Sequence, residues 1–239
     1  SCATVSLPEP LDEATLQVAP PTGHAVDDHA AVQAAFDAVE AGGTVLLGQG
    51  TYVLGRSVRL TVPDVTVLGN PKGTVLRGGA PQAFDVEGLD DVRRLLLECT
   101  GLEVRAPRQT IRGLTFEYAW HGIFIGSLPD TLDDLERGIV PSDPVAGGHR
   151  IEGNTFRACP NGIRSRSDAP EATVIQDNDF VDTYHAIVIN AGTVHFLENR
   201  IVVEDPGRVP MSRHPGGPLI VAPDAADESG QHVIAGNII

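Results

Sequence analysis

Apolar positions along this chain come in short alternating runs that return at a fixed longer interval. The phrase Thr110-Ile111-Arg112-Gly113-Leu114-Thr115-Phe116 is echoed at 150–156, 174–180, 195–201 and from His232 onward. Its frame is an apolar residue, two variable positions, Asn, one variable position and a second apolar residue. Ile151-x-x-Asn154-x-Phe156, Ile175-x-x-Asn178-x-Phe180 and Phe196-x-x-Asn199-x-Ile201 all fit it. A further apolar residue follows 7 positions later, at Ile123, Ile163 and Ile187, behind Gly122, Gly162 or Ala186. Successive asparagines lie 24 and 21 residues apart, the length of one solenoid turn.

Runs such as Thr173-Val174-Ile175 and Ile187-Val188-Ile189 are β-branched and too short for helices, and Gly, Asn and Asp punctuate them as bends require. The pattern therefore predicts a single-stranded parallel β-helix. Stacked about 4.8 Å apart, its turns place equivalent residues in columns. Asn154, Asn178 and Asn199 then form a ladder of amides that satisfies backbone groups along one bend. Leu114 breaks that column, so the ladder is expected to begin one turn later.

Before the coils, Asp27-Asp28 reads as the N-cap of a helix. Val32, Phe36 and Val39 fall on one helical face, and Gly42-Gly43 marks the stop. Strands at 44–47 and 51–54 follow. Residues 1–23, with Pro8, Pro10, Pro20 and Pro21, read as a tether or irregular cap, and 24–239 as one β-helix domain. The last copy of the phrase stops at Asn237-Ile238-Ile239, which predicts that a C-terminal cap is missing. The segment from Asp27 to Ala38, with Gly42-Gly43-Thr44-Val45 and Gly50-Thr51-Tyr52, resembles the opening of the pectate-lyase-like superfamily of right-handed parallel β-helices. The resemblance implies a right-handed solenoid whose N-terminal end is plugged by the short helix.

A net charge of -15 with a single lysine, Lys72, argues against nucleic acid and anionic membranes as general partners. A polyanionic ligand would need a local arginine patch or bridging cations. Cys99 and Cys159 fall about two turns apart, beyond disulfide reach, and read as buried thiols. Ser1-Cys2 ahead of a Pro-rich acidic stretch resembles the end of a bacterial lipoprotein signal, so any membrane association is expected only through lipidation at Cys2. The expected location is extracytoplasmic, secreted or lipid-anchored. Two insertions, 128–148 and about 205–217, interrupt the period and could wall a groove.

Aligned turns give columns Trp120/Pro160/Tyr184, His121/Asn161/His185 and Tyr118/Ala158/Asp182. Past the bend, Phe124/Arg164/Val188 and then Gly126/Arg166/Asn190 share one direction, with Glu204 and Asp205 arriving near Asp182 and Tyr184. Aromatic rings suit pyranose faces, and guanidinium forks suit carboxylates. The candidate catalytic set is Asp182, His185, Arg164 and His121. The candidate substrate-binding set is Trp120, Tyr184, Arg166 and Glu204. No histidine pair has zinc spacing. No cofactor is expected, with Ca²⁺ on Asp182, Glu204 and Asp205 as the one possibility.

The segments Trp120-His121-Gly122-Ile123 and Asn161-Gly162-Ile163-Arg164-Ser165-Arg166 are similar, in order, to the Gly-His-Gly and Arg-Ile-Lys regions of polygalacturonases. That resemblance implies motif roles for His121, Arg164 and Arg166. Glu98-Cys99-Thr100 and Gly101-Leu102-Glu103-Val104 stand where the family's aspartate motifs would fall, so the carboxylate pair of an inverting hydrolase is missing. Two functions remain open. One is a polysaccharide lyase, epimerase or hydrolase acting on an acidic, uronate-type glycan. The other is a non-catalytic, surface-tethered glycan-binding or structural module.

Overall fold

The computed structural model describes residues 14–79, 89–139, 146–166, 169–205, 220–221 and 232–239, without the side chains of 89–92 and 220–221. Every named pairing is parallel, in three sheets of eight, six and six strands. Each turn visits the sheets in order, as in Thr110–Arg112, Thr115–Glu117 and His121–Ile125. Strands one turn apart pair in register, for example Ile111 with Ile151 and Ile151 with Ile175. This is a parallel β-helix, with a core of inward Val, Leu, Ile and Phe along its axis.

Two stacks set the register. Phe116, Phe156 and Phe180 lie with ring centroids 5.1 and 4.8 Å apart and planes 8° from parallel in both pairs. At the bend between the first and second sheets, the asparagine ladder forms. Asn154 Nδ2 donates to Asn178 Oδ1 (3.1 Å), Asn178 Nδ2 to Asn199 Oδ1 (3.0 Å), and Asn199 Nδ2 to Asn237 Oδ1 (3.2 Å). Each Oδ1 also accepts the backbone N–H of the preceding turn, and Asn154 does this for Leu114 (3.1 Å). The ladder thus starts one turn after Leu114, as expected. The residue before each Asn has positive φ: Gly113 and Gly153 before Leu114 and Asn154, then Asp177 and Glu198 before the next two.

Helix α1, Ala25–Ala38, buries Val32 and Phe36 in the core as its spacing predicts, but its capping differs. His24 is the N-cap and makes no side-chain capping bond, and the helix ends at Ala38, before Gly42-Gly43. The buried Asp28 carboxylate instead accepts from Thr22 and Gly23 on one side and from Val53 N–H (2.9 Å) on the other. Gln33 acts likewise, accepting Arg59 N–H (2.8 Å) and donating to Arg59 C=O (3.0 Å). Strands Gly50–Val53 and Val58–Leu60 end their sheets, so these side chains stand in for the missing rung. Of the segment 1–23, read in sequence as a tether or irregular cap, residues 14–23 carry a strand of the solenoid. Their strand Thr15–Gln17 ends the first sheet, paired with Thr44–Leu46. Residues 1–13, Cys2 among them, lie outside the described residues.

One element has no counterpart in the coil reading. Helix α2, Leu89–Glu98, leaves the solenoid between strands Thr74–Arg77 and Leu102–Val104. Its Leu95 packs with Cys99 and Trp120 in a second apolar cluster. The first insertion carries a one-turn helix α3, Leu132–Glu136, N-capped by Thr131, which lies against α2. The other insertion falls largely on 206–219, outside the described residues. Cys99 and Cys159 are buried free thiols, and burial pushes them up to about 11 and about 12.

Removing one ladder rung strips partners from both adjacent turns. Asn178→Ala is expected to cost about 2 kcal/mol or more in urea unfolding, because Asn154 N–H is left buried and unpaired and Ile151 C=O loses one of its donors. Stability will also fall with acid. Burial pushes His149 down to about 4, and its Nδ1 accepts Gln109 N–H (3.2 Å), so the folded chain holds it neutral. The unfolded chain takes that proton below about pH 6.5, so stability is full above this value and declines as pH falls to about 4. His149→Gln should flatten that part of the profile. Trp120 is the only tryptophan, so its fluorescence reports α2 docking. Leu95→Ala should red-shift the emission and cost about 2–5 kcal/mol.

Candidate functional site: the outward face of the third sheet

The third sheet turns one row of side chains outward in register: Arg59, Glu103, Phe124, Arg164, Val188. A second row, at the corner before it, is His121, Asn161, His185. The stretch Phe124/Arg164/Val188 of the first row and the whole of the second are legible in the sequence, whereas Arg59 and Glu103 are placed in the row only by the structure. Openness to solvent is not legible there, and it divides the candidates.

Trp120 is 5% exposed beneath α2 and cannot offer a face to a sugar. His121 is fully buried, and neither ring nitrogen has a hydrogen-bond partner. Burial holds its pKa well below the usual histidine range, and Arg164 and Arg166 push the same way. A neutral, enclosed imidazole cannot exchange protons with a ligand in this state. Phe124, at 1% exposure, completes the closed middle of the face, with its ring 5.3 Å from that of His121. The long open strip that the alignment suggests is therefore interrupted.

Asp182 is also redirected. It sits at positive φ in the bend after strand Asp179–Val181, in the same column as Tyr118 and Ala158. Its buried Oδ1 accepts the backbone N–H groups of Glu204 (2.7 Å) and Asp205 (2.9 Å), which ties one turn to the next. In this structure that carboxylate oxygen acts as a corner clamp. Glu204 is exposed and pairs with Arg157 (3.5 Å). Among the described residues, no three His, Cys, Asp or Glu side chains converge as metal ligands.

Arg164, Arg166, His185, Tyr184, Asn161 and Asn190 remain together. Asn161 Nδ2 donates to Trp120 C=O (3.3 Å), which fixes the amide orientation and turns Oδ1 toward His185 Nδ1 (2.9 Å). An amide oxygen only accepts, so Nδ1 carries the proton and Nε2 keeps its lone pair. Nε2 has no hydrogen-bond partner and is shielded from solvent, with the Tyr184 ring 4.3 Å from the imidazole. Burial, and then Arg164, lower the His185 pKa. Arg164 is half-buried. Its Nε donates to Asn190 Oδ1 (2.9 Å), and it makes no ion pair among the described residues; nor does exposed Arg166.

The arginines of the other two sheets behave differently. Arg77 pairs with Glu117, Arg112 and Arg150 with Glu152, Arg157 with Glu204, and Arg200 with Asp179. Burial lowers the pKa of Arg164, and Arg166 adds to that effect, so a half-buried cation sits near a second, exposed one with no carboxylate beside it among the described residues.

Packing explains part of the polygalacturonase-like phrase. A Cβ on Gly122 would lie 2.5 Å from the Phe156 ring, and one on Gly162 would lie 2.6 Å from Phe180. Where the next turn offers Ile201 in that column, Ala186 fits. Gly-Ile after the corner is thus a consequence of the phenylalanine stack, while His121 and Arg164 are not dictated by it.

At the N-terminal end of the same face lies a cluster that the sequence reading did not single out. Glu103, wholly buried, accepts Arg59 Nε (3.1 Å), Arg105 Nε (2.7 Å) and Leu128 N–H (2.6 Å). Its signal was a charged residue at an outward strand position, flanked by Arg59 one turn before and Arg105 two residues on.

No protein-family model matches the chain, and neither does any curated protein. Among solved structures, an alginate lyase from Paenibacillus sp. str. FPU-7 aligns at 14% identity with a TM-score of 0.49. The alignment covers 93% of this chain and 63% of that one, so this chain spans less than two thirds of that protein's length.

Proposed function

We propose that this protein acts on an acidic, uronate-type glycan, removing the proton α to a sugar carboxylate in the manner of a lyase or epimerase. The observation that carries the reading is the pair Arg164 and Arg166, unmatched by any carboxylate among the described residues in a chain of net charge -15. Holding the Arg164 guanidinium partly dry beside a second cation and without a counter-charge is costly, and an anionic ligand offsets that cost. A uronate carboxylate seated on Arg164 would be polarised there, which stabilises the anion formed as the adjacent C–H bond breaks.

His185 is the base. Its tautomer is fixed by Asn161, so Nε2 takes the proton. In elimination, the C–H electron pair becomes the new double bond and the glycosidic C–O bond breaks. The proton on Nε2 passes to the departing oxygen. The carboxylate pair needed for hydrolysis is not part of this cluster, because Asp182 serves the backbone.

Proton transfer requires Tyr184 or its neighbours to move aside when glycan binds, since Nε2 is enclosed. That enclosure favours a second reading, a non-catalytic glycan-binding module that uses the arginines alone. Extracytoplasmic location accompanies either reading, because such polymers lie outside the cell. Among the described residues, no helix is long and apolar enough to cross a membrane.

Uronate polymers should yield unsaturated ends, detected by ultraviolet absorbance, or an inverted carboxylate carbon, detected by NMR. Arg164→Ala should reduce turnover by about 10²-fold or more. His185→Gln should abolish turnover and retain binding. Binding of the same polymers without turnover by the unaltered protein would select the module. Because burial and Arg164 both lower the His185 pKa, the acid limb of the activity should lie below the ordinary value of about 6.5. Arg164→Gln should raise the His185 pKa measured by NMR, and an unchanged pKa would remove the arginine from contact with the base.

A further inference from the structure

We infer that the cleft between α1, the corner Arg56-Ser57 and the segment Pro129-Asp130 is a separate binding site for a small carboxylated sugar, with Asp130 occupying the carboxylate position in the free chain. The inference does not depend on proton transfer by His185.

The cleft has a volume of about 560 Å³, within the range of small-ligand sites. Three arginines line it: Arg56, Arg59 and Arg105. Glu103 below them accepts Nε of Arg59 and both Nε and Nη2 of Arg105, which fixes the planes of two guanidinium groups before any ligand arrives. Such preorganisation lowers the ordering cost of binding an anion. The Asp130 carboxylate stands 2.7 Å from Arg59 Nη2 and 3.7 Å from Arg105 Nη2.

Asp130 differs from Glu103 in one decisive respect. Glu103 is wholly enclosed and cannot be exchanged, whereas the Asp130 side chain is 54% exposed. An exposed ion pair contributes little to stability, so a soluble carboxylate can replace Asp130 at little cost. Arg56 supplies a further cation. It is exposed, makes no ion pair among the described residues, and places Nε 3.2 Å from His29 Nε2. His29 Nε2 also lies 3.1 Å from Ser57 C=O, so one nitrogen faces a donor and an acceptor at once. A ligand oxygen on Arg56 relieves that conflict by drawing the guanidinium away.

The remaining walls suit a sugar rather than a simple anion. Asp37, Thr61 and the edge of Gln33 offer hydroxyl partners, while Leu97 and Pro129 give apolar surface for a ring face. Arg59 and Arg164 lie three rungs apart in the same row, roughly 14 Å at the rung spacing. Buried Phe124 lies between them.

The test uses the full chain carrying Arg164→Ala, so that the other arginine site is removed. Glucuronate is titrated by calorimetry, with glucose as the neutral control. Binding of glucuronate and not glucose is expected, and Asp130→Asn should tighten it several-fold by removing the resident competitor. Arg56→Ala should weaken it by a similar factor with the melting temperature unchanged. The proposal is overturned if glucuronate does not bind, if Asp130→Asn leaves affinity unchanged or lowers it, or if glucose binds equally. A protein that passes this test yet never turns over a uronate polymer would leave this site standing and reject the enzymatic reading of Arg164 and His185.

Discussion

Parallel pairing between turns is the constraint on which the rest of the molecule depends. Each strand is only 2–5 residues long and would not persist alone. It holds because the rungs before and after it satisfy its backbone and bury its inward side chains. The bends are the weak points, since there the backbone leaves the ladder with groups unpaired. Asparagine resolves this at one bend by accepting the N–H of the preceding turn while donating to carbonyls on its own and the preceding turn. Asp182 resolves it at another with a carboxylate, and Gln109 at a third, where Oε1 accepts Val65 N–H and Nε2 donates to Val62 C=O.

This division of labour decides what a reader of the sequence could see. Columns were legible because the period repeats, so the asparagine ladder, the phenylalanine stack and the rows His121/Asn161/His185 and Phe124/Arg164/Val188 all emerge from spacing. Exposure was not legible, because it is set by whatever lies outside the period. Helix α2 is such an element: Leu89, Val92, Leu95 and Leu96 have helical spacing, but they sit in a stretch where the coil phrase is absent. Its packing turns Trp120 from a sugar platform into a core residue. The backbone bonds of Asp182 are hidden for a related reason, since a polar residue at a positive-φ bend looks the same in sequence whether it serves backbone or ligand. Glu103 stands where the polygalacturonase resemblance leads one to look for aspartates, yet its burial between Arg59 and Arg105 anchors it firmly on that face.

Charge gives a sharper separation of structure from function than residue type does. On the first two sheets, arginines alternate with carboxylates in adjacent rungs, as in Arg77 with Glu117 and Arg200 with Asp179. Such pairs keep outward columns soluble without accumulating one sign. On the third sheet the alternation fails at Arg164, whose row neighbours are Phe124 and Val188. With 32 acidic residues against 17 basic ones, supplying a carboxylate there would be easy. Among the described residues, Arg164 is thus left without the carboxylate neighbour that the outward arginines of the other sheets have.

His121 shows how tightly that omission is coupled to the interior. An imidazole with two unpartnered nitrogens loses hydrogen bonds to water on burial and gains none in return. Packing does not demand it, because the equivalent corner positions are filled by Asn161 and His185, both hydrogen-bonded to each other. What His121 provides is a neutral polar ring next to two cations, since burial and the arginines keep it from taking a third charge. A lysine or arginine at that position would repel Arg164, and a carboxylate would neutralise it. A neutral histidine does neither, so the positive potential at Arg164 stays available to whatever approaches from solvent.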